Sequence, residues 1–113
     1  MTNTIDKRKY PRIEVRWPVV VTSNQGNVEA ETKNISVNGV FIESNQRLRV
    51  GETYPMSIKP PDHQLIKVTG KIIWSESHVK TPEDIVYGFG FYFLEIDDKD
   101  WTFLAHMVST LMA

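Results

Sequence analysis

From Ile13 to Ile96 the sequence is a succession of short β-branched and aromatic runs, each closed by a turn signal. This punctuation points to an antiparallel β-structure, a small barrel or a sandwich. Ile13, Val15, Trp17, Val19 and Val21 alternate with Glu14, Arg16, Pro18, Val20 and Thr22, the period of a strand with one buried face. Pro18 lacks a donor, so an edge position or a bulge is expected there. The turn SNQGN (23–27) leads to VEAETKNIS (28–36), and the turn SVNG leads to VFIES (40–44). RVGE (49–52) precedes YPMSIKP (54–60), which Pro60 and Pro61 close. QLIKVTGKIIWSES (64–77) is a long β-branched run in which Gly70 predicts a bend or bulge. KTPED (80–84) reads as a loop before the strand IVYGFGFYFLEI (85–96).

Only the end has a helical period. Asp97 suits a cap, and Asp98 and Asp100 suit the positive end of a helix dipole. Trp101, Leu104, Ala105, Val108, Leu111 and Met112 then recur on one face, a stripe expected to pack on one mouth of the β-structure. The expected organisation is a flexible basic arm over residues 1–12 and one β-domain over residues 13–113, with the helix at about 97–112.

The charge is unevenly placed. Lys7, Arg8, Lys9, Arg12 and Arg16 are five of the thirteen basic residues, and with Asp6 and Glu14 they give the first 16 residues a charge of +3. The remaining 97 residues carry eight bases and twelve acids, a charge of −4, for a total of −1. Such a body disfavours non-specific binding of DNA or RNA, including a single-stranded nucleic-acid barrel. With no cysteine, disulfides, thiolate catalysis and cysteine-based zinc sites are excluded. No apolar run approaches the ~20 residues of a membrane helix. The N-terminus has no apolar stretch typical of a secretory signal. No membrane insertion is expected, and the cytoplasm is the expected location.

Enzyme chemistry finds little support. His63, His78 and His106 lack metal-ligand spacing and read as ordinary surface or satisfied residues. The acidic trio at 97–100 fits a helix start better than a carboxylate site. GFG (88–90) is a strand feature, since no helix follows it. No catalysis, cofactor or metal is expected. Two short motifs remain: Arg8-Lys9-Tyr10-Pro11-Arg12, an R-x-x-x-R, and Asn34-Ile35-Ser36-Val37-Asn38-Gly39, an N-x-S-x-x-G. Taken alone, the second is a turn in which Gly39 takes positive φ.

In this order, ahead of a first strand and then about twenty residues on, the two motifs resemble those of the PilZ domain family, bacterial receptors for cyclic di-GMP. GKIIW (70–74) resembles the family's G-x-V-x-W stretch, and YGFGFYF (87–93) its late strand with a Gly before an aromatic run. The resemblance runs from about Lys7 to the C-terminal helix. It implies a mainly β fold: a six-stranded antiparallel Greek-key barrel, of the split type, with a C-terminal α-helix. It implies cyclic di-GMP as ligand and Arg8, Arg12, Asn34, Ser36 and Gly39 as its site, with Lys7 and Trp74 as secondary candidates.

The chemistry suits that ligand. The planar fork of Arg matches guanine O6 and N7 and also fits phosphate. Asn34 can accept from the guanine N1–H or N2–H₂, as the Asp common in the family would. Ser36 can donate to phosphate, and Gly39 lets a flat base approach the backbone. Lys7 adds positive field. Trp74 reads equally as a stacking residue or as a core tryptophan on an alternating strand, while Arg16 reads as a solvated surface residue. The expected function is a receptor that relays the second messenger to an effector protein in trans, in control of motility, biofilm or virulence. The alternative is a PilZ-fold interaction module without a ligand. Apolar residues on the late strand or helix are compatible with a homodimer.

Overall fold

The computed structural model describes residues 10–112. Six strands, β1 (Pro18–Ser23), β2 (Gly26–Ile35), β3 (Gly39–Ser44), β4 (Thr53–Ile58), β5 (Ile66–Thr81) and β6 (Asp84–Ile96), precede one helix, α1 (Asp98–Met112). Every pairing is antiparallel, and the strands close in the order β1-β2-β3-β6-β5-β4, with β4 returning to β1. This is the expected six-stranded barrel with a C-terminal helix. Two three-stranded meanders, β1–β3 and β4–β6, are joined by the connection between β3 and β4.

Alternation along the strands fills the interior. Val19 and Val21, Val40 and Ile42, Met56 and Ile58, Ile66, Val68 and Ile72, and Phe89, Phe91 and Phe93 point inward and are buried. Closure leaves no open edge around this core, so every core residue has neighbours on both sides.

The alternation predicts one strand from Ile13 to Val21, but the structure divides it. Residues 13–17 run beside β2 without joining its ladder continuously. Ile13 and Ile35 exchange backbone hydrogen bonds of 2.9 Å in both directions. Further along, the Trp17 amide donates to the Thr32 hydroxyl at 2.8 Å, and the Thr32 amide donates to the Trp17 carbonyl at 2.9 Å. The fully buried Thr32 hydroxyl also donates to the Val15 carbonyl. Ile13 and Trp17 are nonetheless buried, so the periodicity reported burial correctly and strand extent wrongly. Pro18 lies neither at an edge nor in a bulge. It is the first residue of β1, the third place where a missing donor is tolerated, and its carbonyl accepts from the Lys59 amide at 2.9 Å.

Gly70 does mark an irregularity: the β5–β6 register shifts between Thr69 and Gly70. KTPED is not an extended loop. β5 and β6 continue to the pair Thr81–Asp84, leaving Pro82–Glu83 as the turn. The Asp97 carbonyl accepts from the Asp100 and Trp101 amides at 3.0 and 2.9 Å, placing Asp97 at the helix cap. Helix α1 buries Leu104 and Val108, with Phe103 and Met107 partly buried beside them. Trp101, Leu111 and Met112 of the expected stripe are exposed. Residues 109–112 are all exposed, so the last turn finds nothing to pack on. His63 docks the helix, stacking on Phe103 at 3.6 Å with its Nε2 3.8 Å from Asp100 Oδ1. That Nε2 is buried without a hydrogen bond, so His63 is not the satisfied residue expected.

Replacing Thr32 with Val keeps the shape and removes the hydroxyl that ties residues 15–17 to β2. The buried Trp17 amide then loses its acceptor, a cost of about 1–3 kcal/mol. Chemical denaturation of Thr32→Val should show a lower midpoint of that size with an unchanged slope.

Candidate functional site

Two bulges turn the candidate residues outward. In β2, Thr32 and Ile35 are both buried although three positions apart, because the β2–β3 register shifts between Thr32 and Asn34. Lys33 is the extra residue, and Asn34 comes to stand opposite Phe41 on the outer face. In β5 the register shifts again between Ile72 and Trp74. Ile72 is fully buried, while Trp74 is 43% exposed. Strict alternation would have put Asn34 beside Thr32 and Trp74 beside Ile72, inside the barrel. The reading of Trp74 as a core residue is thereby corrected.

Asn34, Phe41, Gly90 and Trp74 now form one row across β2, β3, β6 and β5. Phe41 and Trp74 stack, with ring centroids 4.9 Å apart and planes 20° from parallel. They reach each other over glycines. A Cβ on Gly90 would lie 2.3 Å from Trp74 Nε1, and one on Gly88 would lie 2.7 Å from Phe41 Cζ. The GFG of β6 is therefore a bare track on which two aromatic rings lie, with Phe89 between the glycines pointing into the core. The next row pairs Gly39 with Tyr92 and Tyr92 with Lys71, and Tyr92 is 47% exposed.

Arg12 stands at the other end of the row. Its Nη1 donates to Asn34 Oδ1 at 2.8 Å, across 22 positions of sequence. Desolvation by the surrounding protein lowers its pKa from the ordinary arginine value. Arginine is a cation at neutral pH in proteins. Among the described residues no carboxylate lies within ion-pair distance of it. Arg16, by contrast, is neutralised on the surface by Glu31 and Glu43 at 3.6 and 3.5 Å, as the solvated reading expected. Lys33 Nζ lies 5.9 Å from the Phe41 ring centroid and 3.4 Å from Glu43. The face thus combines an aromatic platform with cations on its rim.

Ser36 and Gly39 lie at the turn that ends this row. Ser36 is fully buried. Its hydroxyl donates to Asn38 Oδ1 at 2.5 Å and accepts from the Asn38 amide at 3.2 Å, while the Ser36 amide donates to the Gly39 carbonyl at 2.9 Å. In this state Ser36 clamps the turn. The Asn38 carbonyl accepts from the Phe93 amide at 2.9 Å, tying the turn to β6. Gly39 does not take positive φ; among the glycines only Gly26 and Gly51 do. A Cβ on Gly39 would instead lie 2.4 Å from the Phe91 carbonyl oxygen and 3.6 Å from Arg12 Nη2. Gly39 is required by the close approach of β3 to β6, beside the guanidinium.

Arg8 and Lys7 lie outside the described residues. Of the other sequence candidates, Arg12, Asn34 and Gly39 meet at one end of the row, Ser36 underlies them, and Trp74 closes the far end. Phe41, Gly90 and Tyr92 were not among the candidates. The signal that could have found them is the outward parity of Phe41 and Tyr92 on strands whose neighbours are buried. The site is an open face. A concavity of about 690 Å³, lined by residues such as Thr22, Lys67 and Asp97, lies elsewhere on the barrel.

Against known families, the model of the PilZ domain matches residues 6–109. The chain belongs to the PilZ domain family. Solved structures share the fold. The Bacillus subtilis inhibitor of motility MotI/DgrA has a TM-score of 0.78 at 18% identity, over 94% of this chain and 51% of that one. The PilZ domain of Escherichia coli YcgR, solved with c-di-GMP, has a TM-score of 0.76 at 12% identity, over 95% and 92%. The K. pneumonia MrkH–c-di-GMP complex has a TM-score of 0.78 at 14% identity, over 96% and 53%. The chain thus spans about half the length of MotI/DgrA and MrkH and nearly all of the YcgR PilZ domain. Among curated proteins, none matches the sequence. No described helix is long and apolar enough to cross a membrane.

Gly90→Val should evict the Trp74 indole from Phe41 while leaving the barrel folded, because the clash is on the outer face. Near-UV circular dichroism should lose the signal of the Trp74–Phe41 pair, and the far-UV spectrum should be unchanged.

Proposed function

We propose that this PilZ domain is a non-catalytic receptor for cyclic di-GMP that binds the dinucleotide on the Arg12–Asn34–Phe41–Trp74 face. The observation that carries the reading is the Arg12–Asn34 contact. It joins the R-x-x-x-R and N-x-S-x-x-G motifs into one site, with the only described arginine of the first motif free of a carboxylate partner. MrkH and the YcgR PilZ domain, which share this fold, are solved with c-di-GMP.

The ligand carries two guanines and a charge near −2, and the face offers something for each. The Arg12 fork can turn from Asn34 to the O6/N7 edge of a guanine or to a phosphate, and Asn34 Oδ1 is then released to accept from guanine N1–H or N2–H₂. The internal bond therefore holds both groups in place until the ligand exchanges it. Phe41 and Trp74 offer flat apolar surface for a base, where stacking is worth about 1–3 kcal/mol. Ser36 keeps the turn shaped so that Gly39 can bring β3 against β6; a phosphate contact from Ser36 requires the turn to open. Arg8 and Lys7, with the rest of the basic arm, supply the remaining charge. The charge-assisted contacts must exceed the conformational entropy lost by the groups they fix.

The reading needs no metal or cofactor. The output is a changed surface where arm, ligand and platform meet, recognised by an effector protein in trans in the cytoplasm. An interaction module without a ligand would retain the barrel but have no use for an arginine poised on Asn34.

Isothermal titration with cyclic di-GMP should show binding to the parent chain. Arg12→Ala should weaken it roughly 5- to 150-fold, the loss of one good bidentate contact. No heat with the parent, or unchanged affinity in Arg12→Ala and Asn34→Ala together, would falsify the assignment.

A further inference from the structure

The β5–β6 pair outruns the barrel. β4 pairs with β5 only as far as Thr53–Lys71, and the loop before β4 adds hydrogen bonds between Gly51 N and Ile72 O at 2.8 Å and between Ile72 N and Glu52 O at 3.0 Å. From Ile73 to Thr81, β5 has β6 on one side and, among the described residues, nothing on the other. All nine residues are exposed, whereas every other stretch of β5 alternates. A two-stranded ribbon with a free edge is marginal by itself and presents a row of unpaired backbone groups.

The side chains of this edge are complementary to themselves. Glu76 lies on the outer face, since a Cβ on Gly88 would touch both Phe41 and Glu76. Trp74, Glu76 and His78 share that parity, and Lys80 beyond them is an extra residue where the β5–β6 register shifts between Val79 and Thr81. Glu76 and His78 pair within one chain, His78 Nε2 lying 2.8 Å from Glu76 Oε2. Set two copies antiparallel about a two-fold axis at Ser77, and Glu76 of each also stands opposite His78 of the other, with Ser77 opposite Ser77, so the two pairs merge into one cluster of alternating charge. On the reverse face Val79, 69% exposed, meets the small Ser75, next to the Val79–Ile85 pair of its own ribbon. The neighbouring registers are worse. Sliding one step sets Glu76 against Glu76, sliding the other way sets His78 against His78, and either slide shortens the overlap. Like charges directly opposite destabilise a strand pair, and opposite charges stabilise it.

We propose that two copies of this chain associate through the 73–81 edge of β5, centred on Ser77, to make a continuous four-stranded sheet. The pairing rests on the edge and its charges and holds whether or not the face binds a dinucleotide.

The chain has no cysteine, so a single introduced one reports the axis without background. Opposed Cα atoms in an antiparallel pair are about 4.5–5.5 Å apart, within disulfide reach. Under mild oxidation Ser77→Cys should form a covalent dimer rapidly, while Ser75→Cys, which faces Val79, and the helical Ser109→Cys should not. Sedimentation equilibrium of the unmodified parent should give a dimer of the 13.0 kDa chain. Glu76→Lys should weaken the dimer about tenfold or more, and adding His78→Glu should restore it by re-creating opposite charges. A parent that stays monomeric at 100 µM scale concentrations, or Ser77→Cys that cross-links no faster than Ser109→Cys, overturns the proposal. So does a dimer indifferent to Glu76→Lys.

Discussion

A strict two-residue alternation would send Asn34 and Trp74 into the barrel, and two single-residue bulges prevent it. The extra residue at Lys33 lets Thr32 and Ile35 both face the core while Asn34 faces out. The register shift after Ile72 does the same for Trp74. Both outward residues then fall in one row with Phe41 and Gly90. The outer face of a barrel this small is otherwise solvent surface. Here the bulges re-aim side chains at defined positions, a use of bulges seen next to functional sites. The buried Thr32 hydroxyl contributes again from inside, since it accepts from the Trp17 amide and holds the segment that delivers Arg12 to Asn34.

The glycines of the face act by absence of a Cβ rather than by backbone freedom. Gly39 admits the Phe91 carbonyl, Gly88 admits Phe41, and Gly90 admits Trp74, none of them at positive φ. Removing side chains from one stripe of the sheet leaves room for the two rings to stack on one another. A flat apolar platform with cations at its rim is suited to a planar, anionic ligand, because stacking and charge act at right angles and do not compete for the same atoms. The same sheet continues past the barrel as a ribbon, so platform and free edge share the strand that carries Trp74.

Much of this was legible in the sequence. The β-type runs gave the strand count, the terminal period gave the helix, and two short motifs gave the family. Arg12, Asn34 and Gly39 do meet. What could not be read from periodicity was where the period breaks. Nothing in TKNI or KIIW distinguishes a bulged residue from a regular one, so Trp74 was open between core and surface, and Phe41 was not singled out. Pro18 illustrates the complementary case: a missing donor restricts a strand to a few positions without choosing among them. The helical stripe failed at its ends for a third reason. Periodicity shows which residues share a face, but the barrel decides how many turns of that face find a partner.

The dinucleotide is proposed to lie on the face from Arg12 to Trp74. Backbone and side-chain amide NMR during titration with cyclic di-GMP tests this placement directly. The account predicts large shifts at the Asn34 side-chain amide, the Gly39 and Gly90 amides and the Trp74 indole N–H, with the distant Thr22 and Lys67 unmoved. Shifts centred on the groove near Thr22, Lys67 and Asp97, or none on the Arg12–Trp74 row, would contradict it.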